Sequence, residues 1–152
     1  MSTPLPLVEL PQIRPLIESG RIVPSEPEVS ERFAEHLERN HPWTASGTSL
    51  DWARIPDAMR LRWDEASDTE AAEFLMKTSL ARHLRVAIWH RRREPSLICK
   101  FYVASFRLST LFSFGSGPRF LFGVDGEPGS FRYAFDDLVE VDGMRWLSGR
   151  PR

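Results

Sequence analysis

Residues 84–90, LRVAIWH, mark the point at which the chain changes its texture. Leu84, Val86 and Ile88 alternate with Arg85, Ala87 and Trp89, the period of two that a strand requires. Upstream of Arg82 the apolar residues recur at helical spacing instead. In residues 68–82 (DTEAAEFLMKTSLAR), Ala71, Phe74, Leu75, Thr78 and Ala81 form a stripe. Ser67 or Asp68 can cap this segment, and Glu70 in the first turn suits the helix dipole. In residues 28–39, Val29, Phe33 and Leu37 fall at i, i+4 and i+8, and Pro42 ends the run. Residues 1–27 hold six prolines and form an arm, within which Leu10, Ile13, Leu16 and Ile17 predict a short helix over 10–19. Residues 43–63, with Pro56, read as loop plus a short helix at 50–54 or 57–62.

Downstream the strand pattern continues. Residues 97–104 (LICKFYVA) read as a strand. Residues 105–114 either prolong it or fold as a helix with Ala104, Leu108, Leu111 and Phe112 inward. Gly115, Gly117 and Pro118 break the chain. Residues 119–124 and 130–135 form a hairpin across DGEPG, and 137–141 and 144–147 flank Asp142-Gly143, a strong hairpin signal. Runs of helix followed by runs of strand imply an α+β fold, with N-terminal helices packed on a C-terminal antiparallel sheet of four to six strands. The boundaries are a Pro-rich arm (1–27), a helical part (28–82) and the sheet (84–147), and 152 residues is the length of one domain.

A single cysteine, Cys99, excludes an internal disulfide and a thiolate zinc cluster. It alternates within an apolar strand and reads as a buried filler. The N-terminal stretch has neither a basic start nor an unbroken apolar run, so neither a signal peptide nor a membrane span is expected, and the expected location is cytoplasmic. His36, His41, His83 and His90 show no i, i+4 pair and no HExxH, so no metal or cofactor is expected. No G-x-S-x-G elbow is present. Trp43, Trp52 and Trp63 are expected in the core and at its boundary, and an exposed one would mark an interface.

Charge is distributed unevenly. Residues 1–76 carry 7 arginines against 14 Asp and Glu, whereas residues 77–152 carry 13 Lys and Arg against 7. The two halves either attract each other within the fold or present faces to partners of opposite sign. The first acidic group is Asp64, Glu65, Asp68, Glu70 and Glu73, whose position at a helix start is explained by capping and is also suited to a basic partner. A second comprises Asp136, Asp137, Glu140 and Asp142. Arg91, Arg92 and Arg93 form the sharpest basic feature. With Arg82, Arg85, Lys100 and Arg107, and with Phe101, Tyr102 and Phe106 nearby, they suggest an anion- or nucleic-acid-binding sheet face. The RRM signature glycine and aromatic spacing are missing.

The acidic helical half, the aromatic sheet and the ending FDDLVEVDGMRWL (Phe135 to Leu147) resemble, in layout, the small immunity proteins that accompany bacterial polymorphic or contact-dependent toxins. The resemblance implies a non-enzymatic binding protein that occludes a toxin's active site, its acidic face meeting a basic cleft. The alternatives are a nucleic-acid-binding module and an enzyme whose site carries no recognised motif.

Overall fold

A computed structural model describes residues 6–47, 49–112, 119–142 and 145–152. The fold is α+β. One seven-stranded antiparallel sheet runs in the order β1-β4-β3-β5-β6-β7-β2, with β1 at Ile22–Pro24, β2 at Met59–Arg62, β3 at Arg85–Trp89, β4 at Leu97–Lys100, β5 at Phe120–Asp125, β6 at Arg132–Asp142 and β7 at Trp146–Gly149. The helices are α1 (Arg14–Glu18), α2 (Pro27–Asn40), α3 (Asp68–Met76), α4 (Phe101–Phe106) and α5 (Leu108–Leu111). No described helix is long and apolar enough to cross a membrane.

The sheet has more strands than expected because both edges come from the N-terminal half. β1 pairs with β4, and β2 pairs with β7. Residues 57–62, where a helix was one expectation, hold β2. Its alternation of Met59 and Leu61 with Arg60 and Arg62 is too short to outweigh the polar surroundings, and its partner strand lies far along the chain.

β3 and β5 are buried on both faces. Val86, Ile88 and Leu121 face a core completed by Leu75, Leu80, Leu108 and Leu111, while Ala87, Trp89, Phe120 and Phe122 face α2. Phe33 of α2 is the centre of the second layer. Its ring stacks on Phe122 at 4.0 Å between centroids and meets Trp89 edge-on at 5.7 Å. The Trp89 indole N–H donates to the Ser30 carbonyl at 3.0 Å, which fixes α2 on the sheet.

The helix expected over 10–19 is confined to Arg14–Glu18, and three further boundaries differ from expectation. α3 begins with a full capping box: Ser67 Oγ accepts from the Glu70 N–H, and the Glu70 carboxylate accepts from the Ser67 N–H, each at 3.1 Å. It stops at Met76 rather than running to 82. The Thr78 hydroxyl donates to the Leu75 carbonyl at 2.6 Å, and residues 79–82 tighten into a 3-10 turn. The strand expected over 97–104 ends at Lys100. Phe101 donates its N–H to Leu84 O at 2.7 Å and then enters α4. Its β-branched and aromatic composition favours a strand locally, but burial of Val103, Ala104, Leu108 and Leu111 decides for helix. Residues 113–118, which include the expected break at Gly115–Pro118, and Gly143 of the expected hairpin lie outside the described residues.

The third difference is in β6, expected as two strands and found as one. Phe122 pairs with Leu138 while the next residue, Gly123, pairs with Ala134, so Phe135, Asp136 and Asp137 bulge out of register.

If Phe33 holds the second layer, Phe33→Ala should destabilise the fold by about 3–5 kcal/mol. Urea denaturation checks this, and Tyr102→Ala, at an exposed position, should change the midpoint little.

Candidate functional site

The five carboxylates of the first acidic group are all exposed, on the 63–65 turn and on α3. They are not uniformly available. Arg62 forms a two-pronged contact with Asp64 at 3.0 and 2.8 Å and reaches Glu65 at 3.5 Å. The hydrogen bond from Arg62 holds the Asp64 carboxyl below its usual range. Glu70 is engaged in the capping box, and Asp68 accepts a long 3.5 Å hydrogen bond from Ser109.

The arginine triplet is also partly engaged within the chain. Arg91 pairs with Glu94 at 3.2 Å, and Arg92 with Glu31 at 3.3 Å and Glu38 at 3.0 Å. Arg93 is exposed. The contacts of Arg92 join the basic half to the acidic half, so part of the charge asymmetry is satisfied internally.

A different surface gathers positive charge without such partners. α4 turns Val103 and Ala104 inward and leaves Tyr102 and Phe106, one turn apart, 58% and 62% exposed. Two adjoining cavities of about 220 and 300 Å³ share Arg21, Tyr102 and Val103. Lys100 and Phe131 line the first, Phe106 and Arg107 the second. Among the described residues no carboxylate lines either cavity, and no ion pair engages Arg21, Lys100 or Arg107. Arg85 lines the first cavity but is bound to Glu127 at 2.9 Å. Lys100, Arg107, Tyr102 and Phe106 are neighbours in sequence. Arg21 joins them only because β1 pairs with β4, which sequence spacing does not reveal.

The strongly perturbed groups lie under cover. Glu140 is 1% exposed, accepts from the Trp52 indole at 2.7 Å, and is pushed up to about 7 by burial. Burial pushes the Cys99 thiol up to about 12, which fits an inert filler. Trp52 and Trp63 are buried, and Trp43 is half-buried with its N–H on Leu37 O at 3.1 Å.

The β6 bulge holds adjacent aspartates on opposite faces of the sheet. Asp136 meets His36 of α2 at 2.9 Å. Asp137 meets His83 Nε2 at 2.7 Å on the other face, and Asp125 meets His83 Nδ1 at 2.9 Å. The His83 ring lies flat over Gly123, where any Cβ would collide with it. Burial opposes the imidazolium, but the hydrogen bonds to Asp137 and Asp125 outweigh it, and the pKa of His83 is raised. On the first face His41 joins His36 and Asp136, so the structure collects three metal-ligand types that are scattered in sequence. No family model matches the chain, and no curated protein or solved structure matches it.

These groups dictate a pH dependence. The folded pKa of Glu140 lies above its unfolded value, so the folded state binds the extra proton and stability falls as pH rises from about 4.5 to about 7. His83 is also raised. Its contribution is complete below the unfolded value of about 6.5 and is lost as pH climbs through the folded one. His41, lowered chiefly by burial, acts in the opposite sense, adding stability as pH rises toward 6.5. Urea midpoints between pH 5 and 9 should therefore lose the low window in Glu140→Gln and the high window in His83→Gln. The Glu140 window should amount to roughly 3 kcal/mol.

Proposed function

We propose that the chain is a cytoplasmic, non-enzymatic protein-binding domain of the immunity-protein kind, and that Tyr102 and Phe106 anchor its partner. The observation that supports this most is the exposure of two aromatic side chains side by side on α4, rimmed by Arg21, Lys100 and Arg107. Leaving such rings in water forfeits the free energy of burying them. Aromatic residues and arginine are also enriched where interfaces concentrate binding energy. The placement of Glu140 and Cys99 beneath other side chains supports binding rather than chemistry.

The sign of the partner follows from the rim. Positive charge without internal carboxylates favours an acidic protein surface, and steers its approach. The acidic group on α3 is the alternative face, suited to a toxin with a basic cleft, but Arg62 and the helix cap already engage Asp64, Glu65 and Glu70. The nucleic-acid reading built on Arg91, Arg92 and Arg93 is weakened in the same way.

Affinity capture from the native host should lose its partner in Tyr102→Ser/Phe106→Ser. The expected loss is about 2 kcal/mol or more, roughly thirtyfold in affinity, with an unchanged melting temperature. Undiminished capture by the double variant contradicts the proposal. A captured species that nuclease removes transfers the surface to nucleic acid.

A further inference from the structure

The C-terminal end of α2 and the β6 bulge together place His36, His41 and Asp136 at one point on the surface. One ring nitrogen from each histidine and one Asp136 oxygen lie within 4.8 Å of one another. The histidine rings meet edge-on at 5.4 Å between centroids, and His36 rests on Phe135 at 5.7 Å. His41 is the informative member. Both its ring nitrogens are shielded from solvent and have no hydrogen-bond partner among the described residues. A shielded polar group without a partner calls for an explanation, and an ion is one.

We propose that His36, His41 and Asp136 form an open, three-ligand site for a divalent transition-metal ion such as Zn²⁺. Two imidazoles and one carboxylate suit Zn²⁺, Ni²⁺ or Cu²⁺, whereas Mg²⁺ and Ca²⁺ prefer all-oxygen sets. Donors around a tetrahedral ion sit roughly 3.3 Å apart; His36 Nε2 and Asp136 are already 2.9 Å apart, so the adjustment falls on their distances to His41. Asp136, with its side chain 80% exposed, has the freedom to adjust. The ion takes the place of the proton on His36 Nε2, and the neutral ring keeps its single proton by shifting it to Nδ1. His36 Nδ1 then carries the ring proton, so Asn40, now 3.2 Å away through its amide nitrogen, turns to accept from it. Arg150 is a neighbouring cation that opposes the added charge at His41. The remaining coordination position is left to water or to a donor from a partner.

The test is calorimetric titration of the full-length chain, free of any polyhistidine tag and stripped with chelator, with Zn²⁺ at pH 7.5. One equivalent should bind. Co²⁺ should give the intense visible absorption of a four-coordinate site. His41→Ala and Asp136→Asn should each weaken binding tenfold or more, while His90→Gln should bind as the parent does, with circular dichroism confirming the fold of each. Absence of both the binding heat and the Co²⁺ spectrum in the parent overturns the proposal. So does one equivalent bound with undiminished affinity by both site variants.

Discussion

Burial of β3 and β5 on both faces is the constraint on which the rest of the architecture depends. Val86, Ile88 and Leu121 on one side, and Ala87, Trp89, Phe120 and Phe122 on the other, are almost wholly removed from water. An antiparallel sheet with one solvated face needs a single covering layer, whereas this one needs two. α2 supplies the second through Phe33, whose ring is in contact distance of Trp89, Phe120, Phe122 and Phe135. The first face is covered by α1 and α3 to α5. The N-terminal half therefore does more than lie on the sheet. It provides a layer on each face and both edge strands.

The bulge in β6 turns this layered arrangement into a set of electrostatic ties. The bulge adds three residues between Ala134 and Leu138, and within it Asp136 and Asp137, on opposite faces as strand neighbours are, reach His36 and His83. His83 locks the turn after α3 to β5 and β6, and Gly123 leaves the space its ring occupies. His36 ties α2 to the same bulge. Charges brought from distant parts of the chain thus serve the fold first, as the contacts of Arg92 also do.

The elements with strong periodicity were legible from sequence. Phe33 and its i±4 neighbours placed α2 within one residue at each end, the cap at Ser67 or Asp68 placed the start of α3, and alternation placed β3. The helical alternative for 105–114 named Ala104, Leu108, Leu111 and Phe112 as inward, and all four are buried. The strands β1 and β2 were not legible, because three or four residues carry too little pattern and their identity depends on remote partners. α4 was misread since Phe101, Tyr102 and Val103 favour a strand in isolation. For the surfaces, Tyr102, Phe106, Lys100 and Arg107 were already visible as a basic and aromatic group, but Arg21 was not. The His36, His41 and Asp136 cluster was invisible, as only the bulge brings Asp136 to α2.

Once internal pairings are removed, the surfaces differ in what they have left to offer. The α3 carboxylates and the arginine triplet spend much of their charge within the chain, while the α4 face retains both cations and exposed rings. The most direct test of this account is site-specific photo-crosslinking in the native host, with a benzoylphenylalanine placed once at position 106 and once at position 73. We expect a discrete covalent adduct from position 106 and none from position 73. An adduct from position 73 alone would contradict the account and place the partner on the acidic face of α3.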